Sequence, residues 1–389
     1  MQSKILNIDK VHSSRGVSLF ILILFLSLAG CVKEQKQQLN SSKTESLANA
    51  YRDHFKIGVA LNRFQVNGEI PKATPLIKQH FNSVTPENLL KWERVHPEPG
   101  QYNFGPANTF VEFGEENEMF IVGHTLVWHS QIPDWVFEAD NGEEIDRETL
   151  LQRMEDHINS VAGKYKGRID AWDVVNEAVL DEGGMRQSKW FELVGEDYVQ
   201  KAFQYASEAD PDAELYYNDY NLWIPEKRRA AVELIKNLQE NDVPIHGIGM
   251  QAHLKIDTPS VEMIEESLLA FSDLGLKVMI TELDIDLLPR EDQVDAELPD
   301  DGEIPDVFNP YTRNLPDSMQ GKLADRYEAL FRLFQKHSDK IDRVTFWGLN
   351  DSQSWLNNFP ISGRTNYPLL FDRDYQPKPA FHAIMDLAD

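Results

Sequence analysis

Two segments of this chain end an apolar run on a glutamate. In 171–177, "AWDVVNE", the run closes on Asn176 and Glu177; in 277–285, "KVMITELDI", Glu282 stands two residues before Asp284. Two carboxyl groups brought face to face can supply a nucleophile and a proton donor to one acetal carbon. At a separation of about 5–5.5 Å, one attacks directly while the other protonates the departing oxygen and later deprotonates water, which gives retaining cleavage of a glycosidic bond. Spacing alone does not say which glutamate takes which part. A single strand-end Glu is as readily a cap or half of a salt bridge, so the weight falls on the pair and its polar neighbours.

The elements that must position them repeat along the chain. Strand candidates fall at 56–62, 81–88, 120–128, 171–177, 214–221, 247–253, 277–285 and 344–351. Amphipathic helical stretches lie between them, clearest at 147–165, 195–208, 225–240, 259–274 and 318–337, the first with Asp146 as its N-cap. Strands alternating with helices make an α/β fold with a parallel sheet. Eight such units predict a single (β/α)8 TIM barrel. An open doubly wound sheet would want a glycine-rich phosphate turn after the first strand, and none is present. Glu177 and Glu282 then end the fourth and seventh strands, which face each other across the barrel mouth. Nearly every other strand also ends in polar or aromatic residues. The C-terminal rim is where barrels place their active sites, and a purely structural rim would have to satisfy all those polar groups.

Ordered motifs carry a resemblance. "SVTPENLLKWE", "GHTLVWHSQIPDWV", "WDVVNEA", "YYNDYN", "GIGMQAHL", "ITELDI", "FWGLNDSQSWL" and "LLFDRDYQPKPAF" follow one another from residue 83 to 381. The chain is similar from about residue 50 onward to the family 10 glycoside hydrolases, a family of endo-β-1,4-xylanases. The resemblance implies Glu177 as acid/base and Glu282 as nucleophile, with Asn176 on the sugar 2-hydroxyl. It implies His253 against the nucleophile with Asp284 behind it, and Gln251 as a sugar-binding neighbour. Glu87, Asn88 and Lys91 match a glycone-binding cluster, with Glu87 and Lys91 expected on one side of a helical start. His124 and Trp128 match the next pair along the cleft, and Trp347 and Trp355 two aromatics closing over the reacting sugar. Tyr220 and Asn221 fall toward the leaving group, while Trp92 and Trp135 are left as packing. Ionised Glu282 would keep Glu177 protonated for the first step; once esterified, it would let Glu177 act as base.

The same resemblance implies xylan or xylo-oligosaccharides as substrate, and the chemistry requires neither cofactor nor metal. His124 and His129 are five apart, not the His-x-His of barrel metallohydrolases. A mannan- or β-glucan-cleaving relative would share both glutamates but not "TPEN…K" and "QAHL". A catalytically dead glycan-binding protein would be expected to lack one glutamate. Two departures stand out: an acidic insertion at 286–318, and Leu356 where the family often has a basic residue.

Composition narrows the partners. The net charge is −26, without the basic stripe that nucleic acid binding requires. With 41% hydrophobic residues a large core is available. The one cysteine, Cys31, excludes an internal disulfide. Lys4, Lys10 and Arg15 precede the apolar run 17–30, which is too short to span a bilayer but suits a signal segment. The run ends on Leu28-Ala29-Gly30-Cys31, which resembles a bacterial lipobox. The expected organisation is a signal peptide at 1–30, a tether at 31–48 and one barrel domain at 49–389. The protein would be a monomer, exported and held at a membrane of the cell envelope by lipid on Cys31.

Overall fold

The computed structural model describes residues 46–290 and 304–388. The signal segment and Cys31 lie outside the described residues, as does most of the tether. Eight parallel strands form a closed barrel: β1 (Lys56–Leu61), β2 (Ser83–Pro86), β3 (Phe120–Val127), β4 (Ala171–Asn176), β5 (Glu214–Asp219), β6 (Gly247–Met250), β7 (Lys277–Asp286) and β8 (Ile341–Phe346). The β1 strand pairs with both β2 and β8. Pairing of Gly247 with Lys277 through Met250 with Ile280 joins β6 to β7 and completes the ring. A short strand, His253–Lys255, runs beside the end of β7 with His253 opposite Asp284.

The intervening helices pack their apolar stripes onto this ring. In the helix Arg147–Lys164, Leu150, Met154, Ile158 and Val161 are buried three or four residues apart, as one face of an α-helix demands. Its start is set by Asp146, whose carboxylate accepts from the Thr149 amide. Asn62 closes a reciprocal capping box with Gln65 just after β1.

Several boundaries depart from the sequence reading. The helix expected at 195–208 is present as Tyr198–Ala209, and a further short helix, Lys189–Val194, which the sequence reading did not anticipate, precedes it and is stopped by Gly195 at φ 101°. Residues 87–91 are not a helical start: Lys91 is extended and precedes the four-residue helix Trp92–Val95. The eighth strand begins at Ile341 and ends before Trp347. The folded body starts earlier than expected, since Ser46 caps the helix Leu47–Ala50 and Leu47 is buried. Leu287, Leu288, Phe308 and Leu315 of the acidic insertion are also buried.

Candidate active site

At the C-terminal rim the strand ends converge on a cleft of about 670 Å³. It is lined by Glu87, Asn88, Lys91, His124, Trp128, Asn176, Glu177, Tyr220, Asn221, Gln251, His253, Glu282, Trp347 and Trp355, together with His129, Gln131, Arg290 and Phe359. The sequence-predicted residues therefore meet in one place, apart from Asp284, which lies behind His253.

Glu282 is buried on β7 and held from two sides. His253 donates from Nε2 to its Oε2 at 3.1 Å, and Asn218 donates from Nδ2 to its Oε1 at 2.8 Å. Burial opposes ionisation of Glu282, but the His253 hydrogen bond, the nearby His124 and His253 and the Asn218 amide outweigh it and hold the carboxyl below its ordinary range. His253 is itself fixed by Asp284, its Nδ1 lying 3.0 Å from Oδ1, while Trp355 donates to Oδ2 at 2.7 Å. Burial would favour neutral imidazole, yet Asp284 and Glu282 raise His253 to about 10. The histidine is thus a cation with both ring nitrogens donating.

Glu177 follows β4 directly and has φ 60°. Its Oε2 accepts from the Trp128 indole at 2.9 Å, and its Oε1 from Gln251 at 3.0 Å and Asn176 at 3.2 Å. His129 stands 3.9 Å from Oε2, with burial, only partly offset by Glu177, lowering its basicity. Asn176 Oδ1 accepts from Asn218 at 2.9 Å and Gln251 at 3.2 Å. A chain of side-chain amides therefore runs from one carboxyl group to the other.

On one flank Lys91 Nζ donates to Asn88 at 3.0 Å and Gln131 at 2.8 Å, and lies 4.8 Å from the Trp128 ring centroid. Glu87 and Lys91 share the cleft wall as expected, but not from a helical start: the extended backbone of Lys91 turns its ammonium toward Gln131 in the loop after β3. Burial lowers the Lys91 ammonium, opposed first by Glu282 and then Glu87; burial likewise raises Glu87. His124 is buried, with Nδ1 2.9 Å from Asp173, and meets Trp347 edge to face at 5.3 Å. Trp355 lies 4.9 Å from the His253 ring and stacks on Phe359. On the other flank Arg186 donates to the Tyr220 hydroxyl at 2.6 Å, and Asn221 donates to Asp181 at 2.8 Å. Leu356 is fully buried, so its apolar side chain serves the core. Trp92 is buried against His157 with ring centroids 3.6 Å apart and does not line the cleft; Trp135 is also outside it.

Sequence reasoning missed Asn218, which ties the two carboxyl sides together, and Gln131, His129 and Arg186. Only "YYNDYN" carried a signal for the first, as a polar strand end. Gly249 beside it has no Cβ because one would fall 2.2 Å from Asn218 Oδ1 and 2.7 Å from Thr281 Cγ2.

A closed barrel with a hydrogen-bonded carboxyl pair on opposed strand ends, inside an aromatic-walled cleft, has the architecture of a glycoside hydrolase. Residues 46–387 match the family described as Glycosyl hydrolase family 10, and the chain belongs to that family. It is 44% identical over 335 residues to endo-1,4-beta-xylanase A of Xylanibacter ruminicola, covering 86% of this chain and 91% of that one. It is 39% identical over 378 residues to a beta-1,4-xylanase of Dictyoglomus thermophilum, covering 96% and 99%. Among solved structures, a family 10 endoxylanase retrieved from sugarcane soil metagenome superposes with a TM-score of 0.84 at 49% identity, covering 88% of this chain and all of that one. A mutant solved in complex with xylotriose superposes with a TM-score of 0.79 at 38% identity, covering 88% and 99%.

Proposed function

We propose that the protein is an endo-β-1,4-xylanase acting with retention, Glu282 being the nucleophile and Glu177 the acid/base. The observation that carries the assignment is the asymmetry of the two carboxyl groups. Glu282 is buried against a cationic histidine and a donated amide, which favours a carboxylate poised to attack. Glu177 lies closer to solvent at the cleft wall, where a leaving oxygen and then a water can reach it. In the first step Glu282 bonds to the anomeric carbon as the glycosidic C–O bond breaks and the Glu177 proton passes to the departing oxygen. In the second, water gives its proton to Glu177 and its oxygen to the anomeric carbon, which releases Glu282. Asn176 sits between the carboxyl groups, where it can bond the 2-hydroxyl.

Xylan is the substrate best supported, by the named activities of the relatives and by the glycone flank. Lys91, pinned by Asn88 and Gln131 and packed on Trp128, leaves that wall little freedom to admit a hydroxymethyl group. Such a difference is worth about 1–3 kcal/mol. The test is to incubate the chain lacking residues 1–30 with glucuronoxylan, mannan and carboxymethyl-cellulose while following product lengths, with NMR of the first-formed anomer. Short β-configured oligomers from xylan are expected. Cleavage of mannan alone, or an inverted anomer, would overturn the reading. We also propose that Cys31 carries lipid and holds a monomeric enzyme at the cell envelope; Cys31→Ala should move the full chain from the detergent phase to the aqueous phase.

A further inference from the structure

The backbone of Glu177 occupies the left-handed region at φ 60°, which costs a residue with a Cβ roughly 1 kcal/mol and persists only where the surroundings impose it. Here they do so from every side. The Glu177 amide donates to the Asn218 carbonyl at 2.9 Å. The next amide, Ala178, donates to the Tyr217 hydroxyl at 3.1 Å, and Val179 to Asp219 at 3.4 Å. The Glu177 carbonyl accepts from Arg186 Nε at 2.9 Å. Arg186 is itself pinned, its amide donating to the Ala178 carbonyl at 2.7 Å.

The same guanidinium donates through Nη2 to the Tyr220 hydroxyl at 2.6 Å. Tyr220 lines the cleft, whereas Arg186 does not. Lys227, fully buried and paired with Asp219 at 2.9 Å, lies 3.5 Å from the centroid of the Tyr220 ring. One planar side chain thus bridges the main chain of the acid/base residue and the cleft wall. Lysine cannot reproduce this, since its donors share one nitrogen.

We propose that Arg186 is a positioning residue for proton transfer: it locks the Glu177 backbone and ties it to Tyr220, so that the carboxyl is aimed at the leaving oxygen. The inference rests on Glu177 being the acid/base. It requires that loss of Arg186 be felt where the leaving group needs a proton and spared where it does not. Departure of 2,4-dinitrophenolate from an aryl xylobioside needs no protonation, whereas departure of a sugar hydroxyl does.

The experiment compares kcat/KM on xylohexaose and on 2,4-dinitrophenyl xylobioside for the wild type, Arg186→Lys, Arg186→Gln and Glu177→Ala. A 2-fluoro aryl xylobioside that traps Glu282 counts folded sites in each. For both Arg186 variants we expect a loss of about tenfold or more per trapped site on xylohexaose, against less than about threefold on the aryl substrate, as for a displaced general acid. Equal losses on both substrates, or no loss, would overturn the proposal. If one variant fails to be trapped, the other decides. If Glu177→Ala itself shows no dependence on the leaving group, the acid/base assignment fails rather than the role of Arg186.

Discussion

Asn218 donates to Glu282 at 2.8 Å from the same nitrogen that reaches Asn176 at 2.9 Å, while its own oxygen accepts from Thr281 at 2.6 Å. A residue on β5 thereby registers the ends of β4 and β7. Replacing it with alanine removes one preorganised donor from Glu282 and leaves the Thr281 hydroxyl and the Asn176 oxygen short of a partner. Asn218→Ala should cost about 10²-fold in kcat and on the order of 1–3 kcal/mol in stability. Initial rates on xylan and denaturant titration measure the two.

His253 makes a second, pH-dependent prediction. With its positive charge gone, burial of Glu282 is less opposed and its carboxyl rises. The acid limb of kcat/KM should therefore move to higher pH in His253→Ala, by on the order of one unit. Wild-type enzyme should show no limb from this histidine between pH 5 and about 9, since it stays protonated until about 10. A pH–rate profile on a soluble aryl xyloside tests both statements.

Gly249 should tolerate no side chain. The Cβ of Gly249→Ala would meet Asn218 Oδ1 at 2.2 Å inside the barrel, where overpacking costs typically about 1–3 kcal/mol. Because the atom displaced belongs to Asn218, activity per folded molecule should fall as well. Thermal unfolding with active-site titration separates the two losses.

Acid should weaken the fold through histidines remote from the cleft. Burial lowers His80 and His96 from 6.5 to about 4, so between those values the unfolded chain binds protons that the folded chain refuses. Their contribution is complete above about pH 6.5 and is lost as pH falls toward 4, by up to about 3 kcal/mol each. His253 works in the opposite sense: its raised value stabilises below pH 6.5, and that stability is lost as pH rises through about 10. Urea midpoints across pH 4–8 for the wild type and His80→Gln should show a shallower acid decline in the variant.

Alternation of apolar and polar segments was enough to determine the barrel, because each strand must bury both faces and each helix one. It also determined where Glu177, Glu282, His253 and Gln251 would stand, since a strand end in a barrel can only reach the rim. Local grammar went further at Asp146, whose cap depends on neighbours three residues away. It failed at 87–91, where the chain is not a helical start and tertiary contacts turn extended Lys91 to Gln131, forty residues on. It also passed over the short helix Lys189–Val194, which Gly195 ends before the expected helix begins. What only the tertiary structure decided is how the polar groups pair. Asn218 to Glu282 and Arg186 to the Glu177 carbonyl and Tyr220 join residues on different strands and loops, at distances that no periodicity encodes. A buried hydrogen bond depends on where two chain segments meet to within a few tenths of an ångström. That meeting is set by the closure of the whole barrel.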